Sequence, residues 1–190
     1  AVNLPFSDQW DLWSGLFDGA GPWALWRQQH GPIRQGLGAW VIAATAWGSG
    51  WNTRAEGFVA VAIVALAAVA GLALARSLRG RWSIADVAIP VLAISLWQFE
   101  ILVMTPNPSH GPLPLLLSML LALAARAERP GCRAAGVAAV AVVASHTGFG
   151  IFLALLALLL LAASAAGAVR DREAVGVHAA ALVAVLASMA

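Results

Sequence analysis

Two long runs of Ala, Leu and Val, at 57–75 and 149–169, constrain the fold of this chain more than any other feature. Each approaches the roughly 20 apolar residues that a helix needs to cross the hydrocarbon of a bilayer. Further apolar segments lie between and after them, and strand-like alternation of apolar and polar residues is absent from the sequence. We therefore expect an all-α fold, a polytopic bundle of transmembrane helices.

The composition supports this expectation and argues against one class of partner. Hydrophobic residues make up 61% of the chain and charged residues only 11%, against roughly 45–50% and 25% in ordinary globular domains. All cations are arginines and the formal net charge is only +2, too small for a nucleic-acid-binding surface. We expect membrane lipid as a partner and no nucleic acid.

The first 34 residues differ from the rest because they combine carboxylates, tryptophans and Gly-Pro breaks. Within 9–18, Trp10, Trp13 and the Leu16-Phe17 pair recur at helical spacing, while Asp11 lies elsewhere. Such an amphipathic helix suits the headgroup layer of a membrane. We predict that 1–55 is an extracytoplasmic region of juxtamembrane helices.

The positions of the arginines set the expected topology. If 56–76 is the first span and the N-terminal region is outside, eight of the eleven arginines become cytoplasmic, as the positive-inside tendency requires. If 35–50 also spanned, they would lie outside, so we predict a juxtamembrane or re-entrant helix there. The region 56–190 then holds about five to six spans. They are predicted at 56–76, 83–99, 112–126, 134–146, 149–169 and 174–190.

The predicted second span carries two further signals. Trp82 and Trp97 bracket 83–99 and lie about 22 Å apart along a helix, as interfacial anchors of one crossing would. Asp86 is close to Arg79 and Arg81, so we expect an ion pair with this group. Because the chain starts without Met and ends within an apolar run, we also expect a fragment that lacks a first span and later helices.

The first candidate site residues are Asp8 and Asp11, three apart at the start of a predicted helix. Two neighbouring carboxylates near an apolar surface supply a general base or half of a metal site. They also suit helix capping, with Asp8 at the N-cap and Asp11 at the third helical position. Both interpretations remain open at the level of sequence.

Other polar residues fall on the same predicted outer side. His30 and Arg34 border an apolar segment, where an arginine binds either a phosphate or lipid headgroups. Glu100 is either solvated at the interface or directed into a cavity, and His110 lies in a turn-rich stretch that is compatible with a simple loop. The full set of candidate binding residues is Arg27, His30, Arg34, Glu100, Asn107, His110 and His146.

The order of these features resembles the N-terminal half of GT-C superfamily glycosyltransferases, which are multi-span enzymes related in fold to protein O-mannosyltransferases. The resemblance covers about 5–165. It rests on the acidic segment PFSDQWD at 5–11, on His30 and Arg34, and on Gly50-Trp51-Asn52 before an apolar span that ends in arginines. The later segments WQFE at 97–100 and SHTG at 145–148 correspond to polar outer-loop groups of such enzymes.

The resemblance implies an activity and roles for the candidate residues. The donor would be a polyprenyl phosphate sugar, and the acceptor a hydroxyl group on the extracytoplasmic side of a prokaryotic plasma membrane. Asp8 or Asp11 would deprotonate the acceptor, and Arg34 or Arg27 would stabilise the leaving phosphate. Three of the other candidates, Glu100, His110 and His146, would orient the acceptor or a divalent metal ion.

Two other functions compete with this one. A transporter or flippase subunit would use the same polar groups to line a path, although Pro90 is the one strong helix-breaking candidate near mid-membrane. A non-catalytic membrane scaffold would leave Asp8, Asp11, His110 and His146 scattered in space. Convergence of these side chains within about 10 Å would favour an enzyme.

Overall fold

The computed structural model describes residues 9–95, 107–171 and 175–189, and these residues are mostly helical. The predicted all-α class is therefore confirmed. The β-structure in these ranges is one antiparallel pair of two-residue strands, β1 (Gln29–His30) and β2 (Ile33–Arg34). The helices are α1 (Gln9–Phe17), α2 (Pro22–Trp26), α3 (Leu37–Ser49), α4 (Thr53–Arg79), α5 (Ala88–Ala93), α6 (Pro112–Ala125), α7 (Pro130–Ser145), α8 (Ile151–Asp171) and α9 (Val175–Met189).

Two described helical segments are long and apolar enough to cross a membrane, judged by length and composition. They are α4, with 27 residues, and Gly148–Ala166, with 19. At 1.5 Å per residue these cover about 40 and 28 Å. The α4 N-terminus is capped by Asn52, whose side chain accepts a hydrogen bond from Arg54 N at 3.1 Å.

The other apolar helices are shorter. α3, α6, α7 and α9 have 13 to 16 residues, which corresponds to about 20–24 Å, less than the roughly 30 Å of hydrocarbon. That α3 is a juxtamembrane or re-entrant helix, and that α6, α7 and α9 cross a bilayer, remain predictions.

The predicted single helix over 83–99 is wrong in its described part. A 3₁₀ turn, Ile84–Val87, precedes α5, which ends at Ala93 and is followed by a turn. Ser83 and Asp86 form a capping box that fixes the start of the turn, and Pro90 is tolerated because it lies in the first turn of α5. Trp97 lies outside the described residues.

The predicted ion pair of Asp86 is confirmed. Its carboxylate is 5% exposed and is bound by the Arg79 guanidinium, while Oδ2 accepts a hydrogen bond from Ser83 N at 2.8 Å. Arg79 lies in the last turn of α4, where a cation is also favoured by the helix dipole. The pair therefore connects the end of α4 to the start of the next element.

Helices α6 to α9 form one core made largely of alanines and a few branched residues. The small side chains let the helices approach closely, as is typical of membrane bundles. The buried members of this core are Leu121, Ala134, Val137, Ala138, Ala141, Ala154, Ala157, Leu161, Ala181 and Val185.

The N-terminal helices form a second core. Leu12, Trp13 and Leu16 of α1 pack with Leu25 of α2 and with the inner face of α3. Trp10 and Phe17 were expected on the same face of α1, but each is 54% exposed. The buried face is centred on Trp13 because its indole is hydrogen-bonded to a carboxylate of α4.

Close backbone approach predicts how single glycines will respond to substitution. Gly36 has φ of +47°, and a Cβ there would lie 1.8 Å from His146 O. We expect Gly36→Ala to reduce the free energy of unfolding by about 3 kcal/mol or more. Gly48 of α3 has no atom within 4 Å of an added Cβ, so Gly48→Ala should stabilise the protein by about 0.5–1 kcal/mol. Thermal unfolding of both variants in detergent tests this, and equal effects would contradict it.

Candidate functional site

Three segments distant in sequence meet at one end of the helices. They are the hairpin with the start of α3, the residues before α6, and the turn between α7 and α8. Ser109 Oγ donates a hydrogen bond to Gln35 O at 2.9 Å, and Leu37 N donates to Thr147 Oγ1 at 3.4 Å. We call this region the loop cluster; it comprises His30, Gln35, Asn107, Ser109, His110, His146 and Thr147.

Glycines make the loop cluster this tight. An added Cβ at Gly38 would lie 1.7 Å from Ser109 Oγ, and one at Gly148 would lie 1.7 Å from Ser109 O. Gly148 also has φ of +54°, which favours glycine. The sequence shows these glycines, but their partners are more than 30 residues away and no local pattern indicates them.

Three of the predicted site residues are brought together here. His30 Nδ1 lies 3.9 Å from Asp11 Oδ2, and the rings of His30 and His110 have centroids 6.0 Å apart. The Asp11 side chain is 74% exposed and that of His30 is 23% exposed. The 3.9 Å separation is longer than a hydrogen bond, but it places a carboxylate and an imidazole close enough to act on the same group. A neighbouring carboxylate and imidazole suit general base chemistry at a water-accessible position.

His146 has different neighbours. Its ring lies 5.3 Å from Trp26, and its Nδ1 is 3.0 Å from Ser145 Oγ, which in turn donates to Ser188 Oγ at 3.0 Å. These contacts join the α7–α8 turn to α2 and to the end of α9. His146 therefore lies in the loop cluster, but these contacts connect structural elements and do not include Asp11, His30 or His110.

Two buried amide side chains in the loop cluster have polar atoms without a hydrogen-bond partner. Gln35 is fully buried, and neither its Nε2 nor its Oε1 is hydrogen-bonded in the described part of the chain. Asn107 is 4% exposed; its Oδ1 accepts from Ser109 N at 2.9 Å, whereas Nδ2 has no partner. Each unsatisfied group costs about 1–3 kcal/mol. Buried groups of this kind are suited to bind a polar ligand or water.

Gln35 was not predicted as a site residue. Its one sequence signal is a polar side chain directly before Gly36 at the start of an apolar segment, and such a residue is usually exposed at an interface. Burial arises because the loop before α6 and the α7–α8 turn pack on this position, a long-range contact.

The remaining predicted residues contribute less to the described geometry. Arg27 is exposed after α2, and Arg34 is half-buried and pairs with Gln29 in the hairpin. Among residues 9–95, 107–171 and 175–189, neither guanidinium makes a hydrogen bond or an ion pair. Asp8 and Glu100 lie outside these ranges.

A buried carboxylate that sequence reasoning missed holds α1 in place. Glu56, in the first turn of α4, is 4% exposed, and its oxygens accept hydrogen bonds from Gln9 Nε2 at 2.8 Å and from the Trp13 indole. Both donors belong to α1, the helix that carries Asp11. Glu56 therefore determines where Asp11 lies relative to the hairpin.

The described residues contain no group of three or more His, Cys, Asp or Glu side chains arranged to hold a metal ion. The divalent ion implied by the resemblance stays a prediction, since two of the carboxylates proposed for this region lie outside the described ranges. No protein-family model matches the chain, and neither a curated protein nor a solved structure is significantly similar to it.

The Glu56 contacts predict how α1 will respond to a near-isosteric change. Glu56→Gln leaves one acceptor oxygen for two buried donors, so we expect α1 docking to weaken by about 1–3 kcal/mol. Hydrogen exchange in 9–17 and the fluorescence of Trp13 would report the loss. Glu128→Gln, at an exposed carboxylate, is the matched control and should leave both signals unchanged. Unchanged exchange in Glu56→Gln would contradict the assignment.

Proposed function

We propose that this protein is a membrane glycosyltransferase that moves a sugar from a polyprenyl phosphate donor to an acceptor hydroxyl group on the extracytoplasmic side. One observation carries the proposal: Asp11, His30 and His110 come from distant segments and converge at one end of an apolar helical bundle. A scaffold has no need for such an arrangement, while a hydroxyl nucleophile requires a base of this kind.

Membrane placement is supported by the outer surface of the helices. Phe58 of α4 and Phe152 and Leu159 of α8 are 65–76% exposed, and large apolar patches of this kind are unfavourable in water. Trp10 and Trp23 are exposed on the N-terminal helices, where indole rings suit the headgroup layer. The bundle would then lie in hydrocarbon, with the N-terminal helices at the interface.

The proposed orientation rests on a difference between the two ends of the bundle. Arg126 Nε donates to Ser77 Oγ at 2.7 Å, so the C-terminal ends of α4 and α6 lie together. The loop cluster contains the segment that leads into the opposite end of α6. With the arginine-rich end in the cytoplasm, the loop cluster would face outward.

The chain of the donor lipid has a candidate site along α4. A cavity of about 270 Å³ lies between α4, α5 and α6, and every lining side chain is apolar. An isoprenoid chain fits such a surface because it offers only hydrocarbon for contact. The lining residues include Ala67, Gly71, Ile89, Leu92, Leu115 and Met119.

The chemistry would be a single inverting displacement. The acceptor oxygen attacks the anomeric carbon while its proton passes to Asp11, directly or through His30, or to Asp8. The bond from the anomeric carbon to the phosphate oxygen breaks, and the phosphate leaves with the electron pair. Arg34 or Arg27 would stabilise the leaving group, while Glu100, His110 and His146 would orient the acceptor or a divalent ion.

Replacement of the carboxylates tests the activity. We expect Asp11→Asn or Asp8→Asn to lower kcat for sugar transfer by at least about a hundredfold, because a general base contributes 10²–10⁴. The assay uses the membrane-reconstituted protein with a panel of polyprenyl phosphate sugars. Asp18→Asn, an exposed carboxylate beyond the end of α1, is the control. If both variants transferred sugar at the rate of the unchanged protein, the proposed glycosyltransferase activity would be contradicted.

A substitution of Gln35 distinguishes a role of its amide in ligand binding from a role in folding. Gln35→Met removes an unpartnered buried amide and retains the shape, so we expect the unliganded protein to gain up to about 1 kcal/mol of stability. If the amide binds a hydroxyl of the donor or acceptor, KM should rise about tenfold in the same variant. Gln29→Met, at the exposed neighbour in β1, should change neither quantity. A loss of stability with unchanged KM would instead assign the amide to a buried water.

A further inference from the structure

A second cavity lies at the arginine-rich end of the bundle, away from the loop cluster. It has a volume of about 220 Å³ and is enclosed by the end of α6, the start of α7 and the second half of α8. Its walls are apolar, with Val137, Leu160 and Leu161 as the larger side chains, whereas Arg133 and Ser164 supply the polar groups. It takes no part in the proposed sugar transfer.

The polar side of this cavity is ordered. Ser164 Oγ lies 2.9 Å from Nε2 of His178, a fully buried residue of α9. Arg133 is half-buried in the first turns of α7, and its guanidinium group forms no hydrogen bond or ion pair within the described ranges. A guanidinium group with its stem along apolar surface presents its charge at the mouth of a groove.

The surrounding charges favour an anion at this position. Arg129 is exposed immediately before α7, whose N-terminal end adds a partial positive charge. The guanidinium of Arg126 is hydrogen-bonded to Ser77, so we do not count it among the groups that would bind the anion. Glu128 opposes them from the same turn, but it is exposed and therefore screened by water.

We propose that this cavity binds an anionic phospholipid of the cytoplasmic leaflet. Arg133 contacts the phosphodiester, and the first part of an acyl chain lies along Leu160 and Leu161. Basic pockets between membrane helices on the cytoplasmic side bind acidic headgroups in this way. The inference rests on the membrane placement proposed above, but it does not depend on sugar transfer.

The test measures lipid affinity of the purified whole protein in a neutral detergent by native mass spectrometry, with dioleoyl phosphatidylglycerol as probe. We expect Arg133→Gln to weaken the affinity about fivefold, since one arginine contributes about a factor of five near a charged lipid surface. Arg133→Lys should retain most of the binding. Arg129→Gln removes the same charge outside the cavity and should change the affinity by less than about twofold.

Several results would overturn the proposal. Equal losses in Arg129→Gln and Arg133→Gln would show that only overall charge attracts the lipid. Equal affinity for dioleoyl phosphatidylcholine would remove the requirement for an anion, and equal competition by soluble glycerol phosphate would remove the role of the acyl chain. Much tighter binding of a polyprenyl phosphate would make the cavity a donor site. Sugar transfer, measured separately in Arg133→Gln, should stay unchanged, so failure here leaves the enzymatic proposal intact.

Discussion

The contact between Gly36 and the His146 carbonyl is the constraint on which the rest of the arrangement depends. At this contact the N-terminal helices meet the α7–α8 turn backbone to backbone, with no room for a side chain. The same contact places the hairpin beside the loop before α6, so His30 and His110 become neighbours. A candidate site built from loops therefore has a rigid support, as precise positioning requires.

A second attachment acts on the other side of the N-terminal helices. Glu56 binds two side chains of α1, and Trp13 also packs edge-on against Trp51 with ring centroids 5.2 Å apart. α1 has nine residues and is too short to be stable alone in water. Its position, and with it that of Asp11, is thus set by tertiary contacts.

The sequence predicted the helices well and their contacts poorly. Apolar runs and Gly-Pro breaks predicted the approximate positions of α4 and α6 to α9, because local patterns carry that information. They failed over 83–95, the described part of the predicted span 83–99, where the capping box of Ser83 and Asp86 starts a 3₁₀ turn and the following helix ends at Ala93. The titratable candidates Asp11, His30 and His110 could be chosen from residue type, whereas Gln35 and Glu56 could not, because their burial results from contacts between segments 43 to 110 positions apart.

The alanine-rich core has a consequence for how this sequence can change. Ala134, Ala141, Ala154 and Ala157 are fully buried, while Leu155, Leu156 and Leu159 are 48–69% exposed. Inside the bundle a larger side chain would push two helices apart. The size of a side chain therefore restricts substitution there more than its polarity does. On the outside, any aliphatic or aromatic side chain would suit the hydrocarbon of the bilayer in which we propose that the bundle lies. Sequence drift should therefore exchange large apolar residues freely on the outside and hold small residues fixed within, the reverse of the pattern in a water-soluble domain.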